Sequence, residues 1–551
     1  MPNATPSPAP KMLDALIIGA GFAGLYQLHL LRDRQKLDVL VLEAADGVGG
    51  TWYWNRYPGA RCDSESWSYC LQFDDALVRD WRWTERYPRQ PEILRYLNHV
   101  ADRFDLRSHI RLNTRVSEAQ FEEASDSWLV TTATGEQYRA RFLIAAVGCL
   151  SAANIPNIPG LGDFKGRWYH TGEWPHEGVD FTGKRVGQVG TGSTGIQSAP
   201  VIAADAAQLT VFQRTPNYSV PARNHKLDDA FRARIQAGWT AMRAHMRSNT
   251  NGHPYSISPR KTFEASAEER RAAYQHAWDT GGLGFRATFQ DMMANKAAND
   301  EASGFLREKI RAVVHDPETA ETLTNFDHPF ATKRPPIDTD YFETFNRPNV
   351  RLVDIRKDPI ARITPDGIAL AGGEEIPLDI IVFATGFDAM TGPLLRLNIF
   401  GRQGTALRDE WAAGPKTYLG LGMEKFPNLF TVTGPGSPSV LTNMPVAIEQ
   451  HVEWIAGCIA WLRAHGIARI EPTHEAATQW GAHVQDVANA TLYPTAATSW
   501  YLGANVPGKP RVFMPYLGGL GRYREICDEV AAEGYRGFAL TPAPAMAAAG
   551  R

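Results

Sequence analysis

The spacing of apolar residues along the chain predicts short strands that alternate with helices. An apolar run from Leu13 to Ile18 precedes a glycine-rich turn, a segment with apolar residues at helical spacing (LYQLHLLRDR) and a second apolar run from Leu37 to Leu42. The same order returns further along, where the two runs are Lys184 to Val189 and Leu209 to Phe212. Two units of this kind predict an α/β fold with two Rossmann-like dinucleotide-binding domains.

The first glycine-rich turn has the G-x-G-x-x-G spacing of a dinucleotide-binding motif, formed by Gly19, Gly21 and Gly24 with Phe22 inside it. These glycines allow the tight turn, let backbone N–H groups approach a pyrophosphate and let the helix pack on the strand. Glu43 ends the second strand, 19 residues beyond Gly24. A carboxylate there accepts the hydroxyl groups of an adenosine ribose and repels a 2′-phosphate, so we expect this site to bind FAD.

The second glycine-rich turn repeats the spacing, but a different ribose chemistry follows it. Its strand leads into Gln213, Arg214 and Thr215 and not into an acid. A guanidinium group and a hydroxyl group suit a ribose 2′-phosphate, because arginine binds phosphate oxygens bidentately. A solvated surface cation is the ordinary alternative for Arg214. We therefore expect NADPH here, with Lys333 as a second candidate for the phosphate and with hydride transfer to the flavin. The turn residues expected to hold NADPH are Gly190, Thr191, Gly192, Ser193, Thr194, Gly195 and Gln197.

The order of these motifs predicts how the chain is divided into domains. A charged, mostly helical stretch interrupts the second unit and is too long for an ordinary loop, so we expect a helical insertion beside the substrate cleft. The apolar stretch DIIVFATG, which starts at Asp379, is interpreted as a buried strand of the FAD domain. The expected divisions are a disordered tail 1–12, a first FAD-binding segment 13–148, an NADP-binding domain 149–378 with the insertion at about 224–330, a second FAD-binding segment 379–540 and a disordered tail 541–551.

Composition and charge exclude several classes of partner. The 57 Lys and Arg residues nearly balance 60 Asp and Glu, and the formal net charge of −3 leaves no large single-sign field to bind nucleic acid or an anionic membrane. The five cysteines are an odd number without C-x-x-C spacing, and His and acidic residues show no metal-binding spacing. The N-terminus lacks a signal-peptide pattern and no run reaches the ~18 apolar residues of a membrane span. We expect a soluble cytoplasmic protein without a metal.

The segment after the first nucleotide unit helps to define the acceptor of the flavin electrons. Enzymes that reduce a disulfide carry a cysteine pair at this point, whereas this chain has Gly49 to Trp54 (GGTWYW) and no cysteine before Cys62. Disulfide reduction is therefore disfavoured, and molecular oxygen is the remaining general acceptor for a reduced flavin.

The stretch between the two glycine-rich turns resembles a known fingerprint. Its pattern F-x-G-x-x-x-H-x-x-x-W, formed by Phe164, Gly166, His170 and Trp174, resembles that of Type I Baeyer–Villiger monooxygenases. The stretches GGTWYWNRYPGARCD, FATKRPP, DIIVFATGFDA and SWYLGANVPGKPR agree with the resemblance. It extends from about Leu13 to about Leu540 and is greatest to the cyclohexanone and phenylacetone monooxygenase branch.

The resemblance implies a reaction and a set of site residues. NADPH reduces FAD, oxygen adds at flavin C4a, and the resulting peroxide anion attacks a cyclic or aryl/alkyl ketone, which becomes a lactone or ester. Arg334 matches the essential arginine that keeps the peroxide anionic, and Asp63 matches the acid that orients it; a solvated cation before a Pro-Pro turn is the ordinary alternative for Arg334. The positions matching the FAD site are Thr51, Trp52, Trp54, Asp63, Tyr69, Val116 and Met444, and those matching the NADP site include Lys333, Arg334 and Trp500.

Several alternatives remain open at this point. His170 titrates in the range of a general base, but a structural or hinge role in the connection between domains is the preferred interpretation. An N- or S-oxygenating flavin monooxygenase is the alternative activity, and a flavoprotein that only senses redox state is the non-enzymatic one. The preferred ketone and the oligomeric state are not indicated by the sequence, although we expect a monomer.

Overall fold

The computed structural model describes residues 11–543 and places strands and helices in alternation. The strands are Met12–Ile18 (β1), Val39–Leu42 (β2), Ile110–Arg111 (β3), Val116–Glu122 (β4), Ser127–Thr132 (β5), Gln137–Ala145 (β6), Arg167–His170 (β7), Arg185–Val189 (β8), Gln208–Gln213 (β9), Val220–Pro221 (β10), Ile337–Asp338 (β11), Val350–Asp354 (β12), Ile360–Thr364 (β13), Gly367–Leu370 (β14), Glu375–Pro377 (β15), Ile380–Phe383 (β16), Ile399–Phe400 (β17), Leu429–Thr431 (β18), Ile467–Pro472 (β19) and Phe538–Pro542 (β20).

The α-helices cover the faces of the sheets and fill the segments between them. They are Phe22–Leu28 (α1), Thr51–Trp54 (α2), Asp75–Asp80 (α3), Gln90–Arg103 (α4), Ser193–Asp205 (α5), Asp229–Ser248 (α6), Ala267–Thr280 (α7), Lys296–Val313 (α8), Pro317–Thr324 (α9), Tyr341–Thr344 (α10), Gly392–Leu395 (α11), Leu407–Glu410 (α12), Met444–Ala464 (α13), His474–Asn489 (α14) and Leu520–Ala532 (α15). Helix α1 continues as a π-helical segment, His29–Arg34.

The first sheet has the order β17-β4-β5-β6-β1-β2-β3, with β18 also paired to β6. Strands β6, β1, β2 and β3 run parallel, whereas β4 and β5 form an antiparallel excursion at one side. Residues 15–18 of β1 are buried, as expected for a central parallel strand covered on both faces. Helix α13 packs against α1 on this sheet, so the C-terminal part of the chain returns to complete the first domain.

The second sheet is parallel throughout and has the order β12-β9-β8-β16-β7. Strand β16 is therefore a central strand of this sheet, paired with β8 and β7. The prediction that the stretch starting at Asp379 belongs to the FAD domain, and with it the boundary at 378, is wrong. A strand buried on both faces is apolar in either sheet, so its composition does not indicate which sheet it joins. The return to the first domain comes after Phe383, and the next paired strand of the first sheet is β17.

The predicted helical insertion is present, but it divides between two cores. Strands β10 and β11 pair at the two ends of the insertion, and α6 to α9 lie between them. Trp239 and Met246 of α6 are buried in the core of the first domain, whereas Tyr274 of α7 and Leu306 of α8 are buried with the second sheet. Side chains of Asp228, Ser266, Asn295 and Asp316 cap the four helices, which fixes where each begins.

The ends of the described chain correct the two predicted tails. Met12 already belongs to β1, and residues 541–542 belong to β20, which pairs antiparallel with β19. Residues 1–10 and 544–551 lie outside the described residues. Within residues 11–543, no helix has the length and apolarity needed to span a membrane.

A buried carboxyl group at the base of the insertion predicts a pH-dependent stability. Ser219 Oγ donates to Asp338 Oδ2 at 2.6 Å, and burial raises the pKa of Asp338 to about 7. The folded protein therefore holds a proton that the unfolded chain releases near pH 4, and stability falls as the pH rises toward about 7. We expect Asp338→Asn to remove this pH-dependent loss of about 1–4 kcal/mol in the free energy of unfolding. The amide oxygen still accepts the hydrogen bond from Ser219, and the amide carries no charge at any of these pH values.

The measurement is the melting temperature of the wild-type protein and the variant at several values between pH 5 and pH 8. Asp205→Asn, which changes an exposed carboxylate at the end of α5, is the control. Equal slopes of melting temperature against pH for wild type and Asp338→Asn would contradict the assignment.

Candidate active site

The first glycine-rich turn joins β1 to α1 and leaves the helix N-terminus open. A Cβ atom on Gly24 would lie 1.8 Å from the carbonyl oxygen of Gly19, so only glycine lets α1 approach the turn this closely. Gly21 precedes the helix, whose first residue is Phe22, and no side chain caps it. The backbone N–H groups of the first turn are therefore free to bind an anion, which fits a pyrophosphate.

Glu43 lies where β2 ends, beside this turn. Its carboxylate accepts backbone N–H groups from Ala20 at 2.7 Å and from Ala45 at 2.9 Å. Burial raises the pKa of Glu43, and the two N–H groups oppose this increase. Each carboxylate oxygen keeps a further lone pair, so the group fits the two hydroxyls of a ribose.

The other residues expected at the first nucleotide site form a surface around α1. Trp52 is buried and its Nε1 donates to the Tyr69 hydroxyl at 3.3 Å, while the Tyr69 ring packs edge-on to Phe22. Met444 is the first residue of α13 and is half-buried beside the first core. Thr51 and Trp54 are the first and last residues of the short helix α2.

Val116 lies apart from this surface. It begins β4 and packs in the core with Leu16 and Leu42. Two residues earlier, the backbone N–H of Thr114 donates to the carbonyl oxygen of Glu43 at 2.8 Å, which places this segment near the ribose end of the site.

The second glycine-rich turn repeats the geometry between β8 and α5. A Cβ atom on Gly195 would lie 2.3 Å from the carbonyl oxygen of Gly190, whereas the position of a Cβ atom on Gly192 meets open space. Gly192 precedes α5, and no side chain caps that helix, whose first residues are Ser193 and Thr194. Thr191 Oγ1 donates to the carbonyl oxygen of Thr215 at 2.9 Å and ties the turn to the end of β9. These residues fit a second dinucleotide.

Positive charge collects at the end of β9. Arg214 is exposed and, among the residues that the structure describes, forms no ion pair, while Lys333 Nζ lies 3.6 Å from Asp327 Oδ1. Burial and the nearby charge of Arg214 lower the pKa of Lys333, and Asp327 opposes this decrease. Thr215 Oγ1 donates to Asp327 Oδ2 at 3.4 Å. Lys333 and Thr215 thus both contact Asp327 near Arg214, and their role toward a 2′-phosphate stays a prediction.

Gln197 connects the second domain to the first. Its amide oxygen accepts from the Tyr57 hydroxyl at 2.8 Å, and its amide nitrogen donates to Asp63 Oδ1 at 3.4 Å and to the carbonyl oxygen of Arg61 at 3.2 Å. A Cβ atom on Gly59 would lie 2.2 Å from the carbonyl oxygen of Gln197, so the loop before Asp63 packs directly on α5.

Arg334 meets Asp63 at the junction of the domains. Arg334 Nε donates to Asp63 Oδ2 at 3.4 Å and Nη1 donates to the carbonyl oxygen of Val440 at 2.9 Å. Burial alone would lower the pKa of Arg334, but Asp63 and Tyr501 raise it above its ordinary value, so the guanidinium stays charged. Burial raises the pKa of Asp63, and the charge of Arg334 opposes the increase. The Nη2 group makes no hydrogen bond to any described residue and is not fully buried, so it is available to a ligand.

Trp500 follows a residue that is bonded to the chain just before Arg334. The hydroxyl of Ser499 donates to the carbonyl oxygen of Thr332 at 3.1 Å, two residues before Arg334. Trp500 is half-buried and its ring centroid lies 4.3 Å from that of Tyr501. The structure therefore brings the expected Trp500 to the neighbourhood of Arg334.

The four fingerprint residues lie on and around β7, the edge strand of the second sheet. Gly166 precedes the strand and has Phe164 against it, and Trp174 is buried with Tyr169 beside it. His170 ends β7 and accepts the N–H of Gly172 at Nδ1, at 3.0 Å. Burial lowers the pKa of His170 to about 4, so the imidazole is neutral at pH 7. A buried imidazole bonded to its own loop supports the structural interpretation of His170, which stays a prediction.

Sequence reasoning missed two contacts of the site. The carbonyl oxygen of Val440 holds Arg334, but a main-chain acceptor leaves no signal in the residue type. Tyr57 positions Gln197, and only its place in the stretch before Asp63 could have indicated it. A further residue, Arg286 of the insertion, lies near Arg334 and matches no motif.

Comparison with known proteins agrees with this geometry. The pyridine nucleotide-disulphide oxidoreductase family matches residues 16–325. A Baeyer–Villiger monooxygenase of Pseudooceanicola batsensis is 45% identical over 525 residues, which cover 95% of each chain. The solved structure of an oxidized steroid monooxygenase bound to NADP is 53% identical, with a TM-score of 0.92 and coverage of 97% of this chain and 100% of that chain. A solved OTEMO complex with FAD and NADP is 41% identical, with a TM-score of 0.91 and the same coverage.

The two glycine-rich turns and the two sheets define a pyridine-nucleotide-dependent oxidoreductase with two dinucleotide-binding domains. Within that class, this chain belongs to the Baeyer–Villiger monooxygenases. The five cysteines are buried free thiols, so the disulfide chemistry in the broader family's name has no cysteine pair to carry it in the described part of this chain.

Proposed function

We propose that this chain is an NADPH- and O2-dependent Baeyer–Villiger monooxygenase that binds FAD and converts cyclic or aryl/alkyl ketones to esters or lactones. The observation that carries the proposal is the position of Arg334, a charged guanidinium held by Asp63 where the two nucleotide sites meet. Bound FAD, reduced by NADPH, supplies the electrons that activate O2; one oxygen atom enters the product and the other leaves as water. The remaining requirement on the protein is to stabilise the negative charge of the oxygen nucleophile.

Arg334 provides a fixed positive charge for an oxygen anion. Its Nε and Nη1 groups are occupied by Asp63 and Val440, which leaves Nη2 as a donor for a ligand. Arginine keeps its proton in a desolvated site where lysine loses it, so the group stabilises an anion without protonating it. A nucleophilic oxygen that attacks a ketone must remain an anion, and this requirement matches the site.

Asp63 acts as a positioning residue. It orients the Arg334 guanidinium through Oδ2 while Oδ1 accepts from Gln197 of the second domain. A buried carboxylate and guanidinium are costly to desolvate unless each is paired and hydrogen-bonded, and here both conditions are met.

The nucleotide roles follow from the two turns. We assign Glu43 to the FAD ribose and Arg214, with Thr215 and Lys333, to the 2′-phosphate of NADPH.

The charged Arg334 also argues against N- or S-oxygenation as the main activity, since that chemistry tolerates a protonated oxygen. We further propose that the protein works in a reducing cytoplasmic setting, which the five buried free thiols support. We also propose that it is a monomer.

The proposed function is tested with a panel of cyclic ketones of different ring size and of aryl ketones. We expect each ester or lactone formed to consume one NADPH and one O2, as measured by gas chromatography, absorbance and an oxygen electrode. NADPH oxidation that no ketone accelerates, or products found only on amines and sulfides, would contradict the proposal.

Replacement of Arg334 separates flavin reduction from oxygen transfer. We expect Arg334→Ala to be reduced by NADPH, seen as bleaching of the flavin absorbance, and then to release hydrogen peroxide with at least about a 100-fold loss of ester, because the oxygen anion loses its counter-charge. Peroxide and ester are measured together. Arg271→Ala, which removes an exposed arginine paired with Glu308 on α8, is the control. Ester formation by Arg334→Ala near the wild-type rate would contradict the role.

Replacement of Arg214 tests the choice between the two nicotinamide nucleotides. We expect Arg214→Ala to raise the KM for NADPH by about 10-fold to 100-fold and to change the KM for NADH far less, because only NADPH carries the 2′-phosphate. Initial rates with each nucleotide give the comparison, again with Arg271→Ala as control. Equal increases in the two KM values would show that Arg214 does not contact the phosphate.

A further inference from the structure

A second arginine of the insertion lies beside the Arg334 site. Arg286 belongs to the short helical turn Leu283–Ala287. Its two neighbours, Phe285 and Ala287, are buried in apolar surroundings, whereas Arg286 is half-buried. Arg286 Nη1 donates to the Tyr493 hydroxyl at 3.5 Å. The backbone on both sides is anchored, and the guanidinium retains accessible surface inside the molecule.

The surroundings of Arg286 overlap with those of Arg334. Tyr501 and His253 interact electrostatically with both guanidinium groups, and each arginine lowers the pKa of groups near the other. Val440, whose carbonyl oxygen holds Arg334, packs in the same apolar cluster as Tyr493 and Tyr501. The two arginines therefore lie near the same histidine and tyrosine side chains.

Arg286 differs in its partners from three other half-buried arginines. Arg334 pairs with Asp63, Arg247 with Glu453 at 2.5 Å and Arg61 with Glu85 at 3.9 Å. Within residues 11–543, no carboxylate lies within 4.0 Å of Arg286, and a phenol is its hydrogen-bonded partner. A half-buried guanidinium without a carboxylate partner is free to pair with an anionic ligand, and partial desolvation strengthens such a pair.

The side chains around Arg286 are neutral, so none of them supplies a negative charge to pair with it. Burial alone would lower the pKa of Arg286, but the nearby tyrosines raise it above its ordinary value, so it stays charged. Burial lowers the pKa of His253 to about 3, which makes that imidazole neutral. The hydroxyl group of Tyr255 is also buried, and burial raises its pKa, so it is a neutral phenol. None of these side chains neutralises Arg286.

We propose that Arg286, with the Tyr493 hydroxyl, binds a carboxylate carried by the ketone substrate at a distance from its carbonyl group. The inference rests on the proposed function and names the substrate class for it: keto acids with an apolar body that packs among the tyrosines. A planar guanidinium fork matches the two oxygens of a carboxylate, and the phenol adds a third donor.

The test compares a ring ketone that carries a carboxylate with its methyl ester, in a series with no, one, two or three methylene groups between ring and carboxylate. With the wild-type protein we expect the best acid of the series to exceed its ester in kcat/KM by at least about 10-fold, mostly through KM. Arg286→Gln should abolish this preference, and Arg286→Lys should retain part of it. Tyr493→Phe, which removes one hydroxyl group, should reduce the preference less than Arg286→Gln does.

The matched control is Arg271→Gln, the same chemical change on an exposed arginine, which should keep the wild-type preference. Flavin content and circular dichroism are measured for each variant, so that a failure to fold is recognised and the Tyr493→Phe result then decides. Equal kcat/KM for acid and ester in the wild type, or an Arg286→Gln effect on the KM for NADPH and not for the acid, would overturn the inference. Absence of ester from every ketone would instead overturn the proposed function, so the two failures are distinct.

Discussion

The hydrogen-bonded charge pair of Arg334 and Asp63 is the interaction on which the site depends. Four separate parts of the chain meet at it: the loop of the first domain that carries Asp63, helix α5 through Gln197, the segment after the insertion that carries Arg334, and the returning C-terminal part through the carbonyl oxygen of Val440. Desolvating two charges has a free-energy cost that only close pairing offsets, so these parts must be held in register. The domain contacts around Gly59 and Tyr57 provide that register.

The nucleotide-binding parts of the fold could be predicted from the sequence because the residues that determine them are close together along the chain. Gly24 lets the helix lie so close to the turn that a Cβ atom would be 1.8 Å from a carbonyl oxygen. This glycine, and the acid or cation at the end of the next strand, are set by a few nearby residues. The strands β1 and β9 lie where the apolar pattern predicts them, within one residue at each end. Glu43 and Arg214 lie at the strand ends that the sequence indicates.

The rest of the fold depended on long-range packing and was predicted less well. Strand β16 was placed in the wrong domain, because an apolar run fits the centre of either parallel sheet. The insertion was predicted as one helical unit, yet the apolar face of α6 packs on the first domain and α7 to α9 pack on the second. Arg334 and Asp63 are 271 residues apart, and only the resemblance to a family paired them. Arg286 has no motif at all, since its significance lies in what surrounds it.

The divided packing of the insertion has a mechanical consequence. Residues 249–266 join α6, anchored on one domain, to α7, anchored on the other, and His253 and Tyr255 of this linker stand in the wall of the cleft. A rotation of one domain against the other would strain this linker, since the helices on either side are fixed in their own cores. The angle between the domains and the shape of the cleft would therefore change together, because His253 and Tyr255 belong to this linker. A nucleotide that sets the angle thereby also sets the space left for the ketone.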